Sequence, residues 1–458
     1  MSASVAPGWV PNLQPRKGPI YLRIVDAIAE ARATGELQPG DRLPAQRDLA
    51  QNLGIDLTTV TRAFSEARRR NLIDAAAGRG SFVTACGAEE PILDLSMIIP
   101  PSPAGMNLPS RIRAGIDGLL RRSSAEALLS YHPDPGSPAE RAAGAEWLRE
   151  GGDRPPVERI AVGPGAQALI CAVMMSTTSP EDVVLTDSLT YPGFISLARI
   201  LKRNIVGVSA DENGMRPDSL EESANASGAR LVYLNPTLHN PTTLIVPERR
   251  RRELIDVARR ANLIILEDDP YSRLLASNEP TFLALAPDVT FHVATLAKCL
   301  SPFIRTAFLV APDSRSIDEV ARILRSIILM APPLMTGLAA EWIRNETAAE
   351  IARGVRQEME ARHALATKIL PYQATGHPNG LHVWLPLAQD QKAATIVDAA
   401  RRRGLAVSAG GDFAVAGDAP EAIRIALGAV ATRSKLQEAL RSFVVTLRGA
   451  TASTTALV

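Results

Sequence analysis

Two apolar runs in the middle of the chain, each followed closely by polar residues, constrain the fold most. The runs are residues 263–266 (LIIL) and 291–294 (FHVA). Short apolar runs of this kind are typical of buried strands in an α/β sheet, and such sheets bind ligands at the carboxyl ends of their strands. The first run leads to Asp268, and the second leads to Lys298 and Arg305. The sequence therefore predicts a ligand site at this edge of a sheet.

The side chains gathered there match the needs of one cofactor, pyridoxal 5′-phosphate (PLP). PLP needs an amine for a Schiff base, a carboxylate against its pyridinium nitrogen, a cation for its phosphate and donors for its ring hydroxyl. We predict Lys298 as the catalytic Schiff-base amine, Asp268 as the carboxylate and Arg305 as the cation. Asn240 and Tyr271 would hold the hydroxyl. Each residue alone has an ordinary structural alternative, such as a surface lysine or a turn, but the five in this order favour a cofactor site.

The stretch 235–312 resembles the fold-type I PLP proteins of the aspartate aminotransferase superfamily. It carries their N-P…N-P, D-x-x-Y and K…R order, and the likeness extends over roughly residues 92–446. The resemblance implies an α/β domain with a mostly parallel sheet and a smaller α+β C-terminal subdomain. Two positions depart from the pattern: Thr243 stands where glycine is usual, and Ala297 where a serine commonly precedes the lysine. Thr295 would then replace the missing phosphate hydroxyl.

A glycine-rich segment, residues 163–169 (GPGAQAL), lies upstream at a strand-to-helix junction. A helix N-terminus offers backbone N–H groups and a positive dipole end to a phosphate. The segment resembles the phosphate cup of fold-type I proteins, which makes Gly165, Ala166 and Gln167 cofactor contacts. Gly163 stands where that cup often has threonine. The segment lacks the third glycine of a dinucleotide-binding motif.

Three further roles are implied by the resemblance alone. The Tyr191 ring would stack on the cofactor ring. Tyr131 would reach across a homodimer interface to the partner's phosphate, although a packed tyrosine is the alternative. Arg424 would grip the carboxylate of a small amino-compound effector in a bidentate manner, with an arginine at a strand edge as the alternative.

The N-terminal 84 residues have a different pattern. Residues 19–33 have apolar positions at helical spacing. A short helix over 45–53, closed by Gly54, precedes a second helix over about 57–70, for which Asp56 is a suitable N-cap. Two short helices joined by a glycine turn indicate a helix-turn-helix.

This region resembles the GntR-type winged helix-turn-helix over residues 18–84. The matching pieces are GELQPGDRLPAQRDLA, TVTRAF and GRGSFV, and the wing would consist of residues 72–73 and 81–83 around a turn at 78–80. An ordinary helical subdomain is the alternative. Asp56 and Leu57 stand where relatives often carry Ser-Arg or Thr-Arg, so the usual base-reading arginine is missing.

The resemblance implies a double-stranded DNA operator as partner. The recognition helix of such a motif enters the major groove, and arginines contact phosphates, which sets affinity rather than sequence choice. Residues 1–85 carry eleven Arg/Lys and eight Asp/Glu, a net charge of +3, within a chain of net charge +1. Arg68–Arg70 either join this surface or form a solvated face. The candidate DNA contacts are Arg47, Thr58, Thr59, Thr61, Arg62 and Arg79.

Composition narrows the remaining possibilities. The three cysteines are widely spaced, so we predict no disulfide framework, which suits a reducing cytoplasm. The six histidines are scattered, so we predict no metal site. The longest apolar stretch, 327–340, is interrupted by two prolines, and no signal peptide is apparent, so we predict no membrane partner and a cytoplasmic protein. The predicted domains are 1–84, a short linker 85–91, the aminotransferase-like domain 92–446 and a frayed tail 447–458.

Together the two halves resemble the MocR/GabR type of regulator. The implied function is a PLP-dependent transcriptional regulator that forms a homodimer, binds an operator and senses an amino compound. Two alternatives stay open at this point. One is a working aminotransferase with a residual DNA-binding head, and the other is a non-catalytic sensor of PLP itself.

Overall fold

The computed structural model describes residues 9–13, 18–34, 36–38, 40–70, 72–76, 80–84, 93–122, 130–131, 135–150, 152–276, 279–417 and 419–455. Contacts divide the chain into two compact units, Met1–Pro91 and Ile92–Val458. Each unit has a hydrophobic core of its own, as separate domains do.

In its described residues, the first unit consists of three helices and a two-stranded antiparallel sheet. The elements are α1 Ile20–Ala33, α2 Gln46–Leu53, α3 Leu57–Arg69, β1 Ile73–Ala76 and β2 Gly80–Val83. Helix α2 ends at Gly54, whose φ of +64° is the left-handed conformation that glycine adopts without strain. Asp56 caps α3 by accepting a hydrogen bond from the Thr58 N–H at 2.7 Å. The predicted winged helix-turn-helix is confirmed.

A seven-stranded, mostly parallel sheet forms the centre of the second unit. In spatial order its strands are β4 Ile160–Gly163, β12 Ala307–Val310, β11 Thr290–Thr295, β10 Ile264–Asp269, β9 Leu231–Leu234, β5 Val183–Asp187 and β6 Asn204–Val208. Strand β12 runs antiparallel to both of its neighbours, and the other pairs are parallel. All four residues of β9 are buried, as expected for a strand covered on both faces.

Helices cover both faces of this sheet. They are α4 Leu108–Arg122, α5 Pro138–Glu150, α6 Ala166–Thr177, α7 Pro192–Ile200, α8 Pro217–Ser227, α9 Glu248–Arg260, α10 Phe282–Leu285, α11 Ser314–Ile328 and α12 Pro333–Arg344. Val232 and Tyr233 are adjacent in β9, yet they belong to different apolar clusters: Tyr233 packs with residues of α6, α7 and α11, and Val232 with residues of α8 and α9. Successive side chains of a strand point to opposite faces, so the two clusters mark the two faces of the sheet.

The C-terminal part is a smaller α+β subdomain. Its elements are the antiparallel strands β13 His382–Pro386, β16 Ala422–Ala426 and β15 Ser408–Ala409, with helices α13 Thr347–Ile369, α14 Ala393–Arg402 and α15 Arg433–Thr455. A separate parallel pair joins β14 Leu405–Ala406 to β3 Leu93–Asp94, so the start of the second unit pairs with its C-terminal part. The remaining short elements are the hairpin β7 Ala210–Asp211 and β8 Gly214–Met215 and the 3-10 turns Val157–Arg159, Ser272–Leu274, Pro302–Ile304 and Gly410–Phe413.

Two expectations from the sequence differ from the structure. The proline pair at 332–333 begins helix α12 instead of only interrupting an apolar run, because proline is tolerated in the first helical turn. The backbone is helical to Thr455, where a frayed tail from 447 was expected.

Candidate functional site

A cavity of about 750 Å³ lies in the second unit, at the carboxyl ends of β10 and β11. Ten of the residues predicted to bind PLP or an effector line it: Ala166, Gln167, Tyr191, Asn240, Asp268, Tyr271, Thr295, Lys298, Arg305 and Arg424. Gly165 adjoins it at the start of helix α6. Tyr131 does not line it; its side chain is 74% exposed, and its contact with a partner subunit stays a prediction.

Lys298 lies just after β11, and its Nζ donates a hydrogen bond of 2.6 Å to the Ile98 carbonyl. Burial and the positive charge of Arg424 together lower the pKa of this amine to about 8, against the opposing effect of the Asp268 carboxylate. A pKa in this range leaves a substantial neutral fraction near pH 8, and the neutral amine is the nucleophile that forms a Schiff base.

Asp268 lies near the end of β10 with its two carboxylate oxygens in different situations. Oδ2 accepts a hydrogen bond from the Tyr233 hydroxyl at 2.6 Å. Oδ1 is buried and has no hydrogen-bond partner among the described residues. Burial raises the pKa of Asp268 to about 6, and the Tyr233 hydrogen bond counteracts this rise. A buried carboxylate oxygen without a partner is costly and is suited to a charged donor such as a protonated ring nitrogen.

Tyr233 was not among the residues predicted from the sequence. It is the only polar residue of the apolar run 231–234. Its neighbour in register is Leu266, and Asp268, two residues further along β10, therefore faces the same side of the sheet. This alternation was the signal that could have identified Tyr233.

The phosphate end of the cavity is formed by the turn before α6. Gly165 has a φ of +109°, and a Cβ there would come within 2.9 Å of the Arg305 guanidinium. Only glycine therefore lets Arg305 lie against the helix N-terminus, where its Nη2 donates to the Pro164 carbonyl at 3.2 Å. Gln167 donates through Nε2 to the Gly193 carbonyl at 2.7 Å. A guanidinium beside a helix N-terminus is well suited to a phosphate.

Arg424, in β16, is held by neutral acceptors. Its Nη1 donates to Asn240 Oδ1 at 2.7 Å, and its Nη2 donates to the Ser408 hydroxyl at 3.2 Å and to the Ser96 carbonyl. Its Nε is buried and finds no acceptor in the described part of the chain. The guanidinium carbon lies 4.7 Å from the centre of the Phe413 ring. The group has donors to spare for a carboxylate.

Asn235 also received no role from the sequence, although it begins the first of the two N-P pairs, of which Asn240 begins the second. Its Nδ2 donates to the Asp268 carbonyl at 2.7 Å, and its Oδ1 accepts from the Asn240 N–H at 2.9 Å. It therefore fixes the Asn240 loop to the end of β10. A Cβ at Gly193 would lie 2.3 Å from the Tyr191 ring, so glycine is required for the observed ring position.

Thr295, predicted as a phosphate hydroxyl, lines the cavity as the last residue of β11. Its Oγ1 accepts a hydrogen bond from the Ala297 N–H at 3.2 Å. Tyr271 lines the same cavity and is only 2% exposed. Burial raises the pKa of its hydroxyl, which keeps it protonated and able to donate.

Five of the six candidate DNA contacts lie on α2 and α3 of the first unit. Arg47, Thr58, Thr61 and Arg62 are exposed and Thr59 is half-buried. Arg79 lies outside the described residues.

Several of these side chains have partners within the first unit. The Thr58 hydroxyl bonds to the Asp56 cap, and Thr61 donates to Gln46 at 2.9 Å, so both hydroxyls have local partners. The Arg62 guanidinium lies 4.1 Å above the Tyr21 ring. Arg69 and Arg70 form salt bridges with Glu66, as a solvated face would.

Residues 90–443 match the family model of class I and II aminotransferases, and residues 20–83 match that of the gntR family of bacterial regulatory proteins. The chain belongs to the class I and II aminotransferase family. Because it also carries a GntR domain, this family member has the domain arrangement of the MocR type, as predicted.

Relatives of this aminotransferase-family protein include regulators and enzymes. An uncharacterized HTH-type transcriptional regulator, YdeF of Bacillus subtilis, is 27% identical over 94% of this chain and 95% of its own length. The vitamin B6 salvage pathway transcriptional repressor PtsJ of Salmonella typhimurium is 27% identical over 81% and 86%. The 2-aminoadipate transaminase of Thermus thermophilus is 27% identical over 76% and 88%.

Solved structures confirm the fold of the aminotransferase domain. LysN, an α-aminoadipate aminotransferase of Thermus thermophilus, superimposes with a TM-score of 0.71 at 24% identity, covering 86% of this chain and all of the LysN chain. Kynurenine aminotransferase of Pyrococcus horikoshii gives a TM-score of 0.71 at 21% identity, covering 78% of this chain and 91% of the other chain.

Across the described residues, no helix is long and apolar enough to cross a membrane.

Proposed function

We propose that this protein is a PLP-dependent transcriptional regulator that binds DNA through its GntR domain and senses an amino compound through its aminotransferase domain. The observation that carries the proposal is the cavity in which Lys298, Asp268 and Arg305 converge, in a chain that aligns with a named regulator along nearly its whole length.

Three features of the cavity fit PLP. Asp268 Oδ1 is a buried acceptor without a partner in the described structure. Gly165 leaves the space that the Arg305 guanidinium occupies beside the helix N-terminus. Lys298 presents a buried amine whose pKa is lowered to about 8. When bound, PLP supplies an aldehyde that reacts with amines and a ring that withdraws electrons.

Each residue has a role that follows from its position. Asp268 Oδ1 would accept a hydrogen bond from the protonated ring nitrogen, while Tyr233 holds Oδ2. Arg305, with the N–H groups of Ala166 and Gln167, would bind the phosphate. Asn240, Tyr271 and Tyr191 would orient the ring, Thr295 would supply a further hydroxyl near the phosphate, and Arg424 would bind the effector carboxylate.

The regulatory step is a change between two states of the protein. A ligand shifts such an equilibrium only by its difference in affinity for the two states. We propose that the effector favours one state, that the change alters how the GntR domains of a homodimer meet an operator, and that Tyr131 reaches the partner's site. The exposed Arg47, Thr58, Thr61 and Arg62, with Thr59 and Arg79, would contact the DNA.

An active aminotransferase is the second candidate, since relatives include transaminases and the residues for amine chemistry are present. A sensor of PLP alone is the third; the salvage-pathway repressor among the relatives favours it. All three candidates share the cofactor site. They differ in whether the protein regulates through DNA binding and, if it does, in whether an amino compound or PLP alone changes that binding.

A gel shift with full-length protein and the DNA upstream of its own gene tests the proposal. We expect a shifted band that changes when PLP-loaded protein receives one member of a panel of α- and ω-amino acids, with a matching change in the visible absorbance. A response to PLP but to no amine would favour the PLP sensor. Conversion of the cofactor to its amine form with no DNA binding at moderate salt would favour the enzyme and contradict regulation.

A Lys298→Ala variant checks the cofactor half. The visible absorbance of the PLP-loaded protein should disappear. Lys368→Ala, which removes a lysine outside the cavity, should keep it. A retained band in Lys298→Ala would contradict the role of Lys298.

A further inference from the structure

Both cations that an amino-acid effector would meet are held by one short segment, residues 96–99, which we name the site strap. The Ser96 carbonyl accepts a hydrogen bond from Arg424 Nη2, and the Ile98 carbonyl accepts from Lys298 Nζ at 2.6 Å. All four residues of the strap line the cavity. Backbone oxygens of the strap therefore accept hydrogen bonds from the same two side chains that would bind an effector's carboxylate and react with its amine.

The strap is anchored on both sides. Before it, Leu95 donates to the Ala406 carbonyl at 2.8 Å and accepts from the Ala426 N–H at 2.7 Å. At its far end the Ile99 carbonyl packs closely on Gly428: a Cβ added to Gly428 would lie only 1.9 Å from the Ile99 oxygen. Movement is thereby confined to the residues between these two anchors.

The turn between the anchors is shaped by a single carboxylate. Asp94 Oδ1 accepts hydrogen bonds from the Ser96 N–H at 2.8 Å, the Ser96 hydroxyl at 2.7 Å and the Met97 N–H at 3.1 Å. These contacts hold the peptide that presents the Ser96 carbonyl to Arg424. The Met97 side chain, at the tip of the turn, is 55% exposed.

The geometry of Arg424 shows which contact a carboxylate would break. A carboxylate bound side-on uses the Nε and Nη2 edge of a guanidinium, in a bidentate pair. Nε has no acceptor within the described residues, and Nη2 is the nitrogen that holds the Ser96 carbonyl. The Nη1 bond to Asn240 lies on the other edge and is left intact. A charged acceptor binds a guanidinium more strongly than a neutral carbonyl does.

We propose that a carboxylate at Arg424 displaces the Ser96 carbonyl and releases the site strap, and that this release is the signal passed to the DNA-binding unit. The strap is well placed along the chain, because it follows the predicted linker 85–91 with only residues 92–95 between them. This inference rests on the proposed function and names its regulatory element.

Hydrogen exchange of the PLP-loaded, full-length protein tests the displacement. Propionate is a carboxylate without an amine, and propylamine is an amine without a carboxylate. With saturating propionate, we expect the Ser96 and Met97 amides to exchange about tenfold faster, since one hydrogen bond to a charged group no longer opposes local opening. Propylamine should change the visible absorbance without this effect. Unchanged exchange with propionate would overturn the proposal.

Variants of Asp94 test the coupling. Asp94→Ala removes the acceptor that shapes the turn, so the strap amides should exchange rapidly without propionate, and affinity for the upstream DNA should equal that of the wild type with propionate. Asp94→Asn keeps an oxygen acceptor and should stay close to the wild type. Asp390→Ala, at an exposed acid of the same unit, should have no effect.

The outcomes separate this proposal from the proposed function. Faster strap exchange with propionate, but no change in DNA affinity for either propionate or Asp94→Ala, would show that the strap moves without carrying the signal. An amino acid that changes both absorbance and DNA affinity while strap exchange stays constant would uphold the regulator and reject the strap. Loss of folding in Asp94→Ala would leave the wild-type exchange result and Asp94→Asn as the test.

Discussion

Arg424 and Asn240, which lie 184 residues apart in sequence, are joined by a hydrogen bond of 2.7 Å from Nη1 to Oδ1. The Asn240 side chain is also the proposed donor to the cofactor ring hydroxyl, through its Nδ2. One amide thus links the group that would bind an effector carboxylate to the group that would orient the cofactor. Asn235 fixes this amide's loop to the end of β10, so the link is held by the sheet.

Asn240→Ala should weaken both binding events. Its removal leaves Arg424 Nη1 without its acceptor and the ring hydroxyl without a donor, so affinity for PLP should fall about tenfold, the usual effect of losing a buried hydrogen bond. The measurement is an absorbance titration with PLP, followed by propionate. Asn240→Asp is the matched variant: it keeps the acceptor for Arg424 but loses the donor. Weaker PLP binding with normal propionate binding in Asn240→Asp would support the division of roles, and wild-type PLP affinity in Asn240→Ala would contradict it.

Tyr233→Phe should change the pH dependence of cofactor binding. Burial raises the pKa of Asp268 to about 6, and the Tyr233 hydroxyl counteracts this rise. Without the hydroxyl the pKa rises further, so Asp268 is protonated, and unable to pair with a cationic ring, at higher pH. PLP affinity falls as pH drops through this pKa, and the midpoint of that fall should move up by about one pH unit, the equivalent of one hydrogen bond.

The control for this experiment is Tyr372→Phe, which alters a tyrosine that is 93% exposed. Its midpoint should match the wild type. The Tyr233 ring stacks on Phe194 with centroids 3.9 Å apart, and phenylalanine preserves that stacking, so thermal stability should change little. An unchanged midpoint in Tyr233→Phe would mean that the hydroxyl does not tune Asp268.

Thr243→Gly should stabilise the protein. Thr243 has a φ of +64°, a left-handed conformation in which a β-branched residue is strained. Glycine adopts it freely, so we expect a gain of about 1 kcal/mol in the free energy of unfolding. Thr243→Asn should give part of the gain, because asparagine adopts the left-handed conformation more readily than threonine does. Thermal unfolding of the three proteins provides the ranking Gly above Asn above Thr, and a Gly variant that unfolds at lower temperature would contradict it.

Asp268 and Lys298 were predicted because they follow recognisable apolar runs, and Gly165 because it lies in a glycine-rich turn; apolar runs and glycine spacing are local signals. Tyr191 and Arg424, in contrast, were predicted from the family resemblance alone. Tyr233 and Ser96 were missed because their roles depend on partners brought from distant parts of the chain. Strand register places Tyr233 beside Asp268, and β3 pairs with β14 to bring Ser96 to Arg424.

The buried charged residues Arg251, Glu267 and His292 also could not be predicted from local sequence signals. Arg251 is fully buried and donates to the Val246 carbonyl at 2.9 Å, and its guanidinium lies 3.5 Å from Glu267. Glu267 also pairs with His292 at 2.8 Å. In sequence, an arginine in the run 249–252 (RRRR) is indistinguishable from a solvated one. Only the packing of α9 against the sheet selects which of the four is buried.

Arg47→Ala and Arg69→Ala should have different effects on DNA binding. Arg47 is exposed and forms no salt bridge with any described residue, whereas Arg69 is held by Glu66 at 2.7 Å. If Arg47 contacts a phosphate, its removal should weaken binding severalfold on every sequence and reduce the slope of log affinity against log salt by about 1. Arg69→Ala should leave the slope unchanged, because its charge is already neutralised locally. Titrations of full-length protein with the upstream DNA and with a scrambled duplex, each at several salt concentrations, give both slopes. Equal slopes for the two variants would remove Arg47 from the DNA surface.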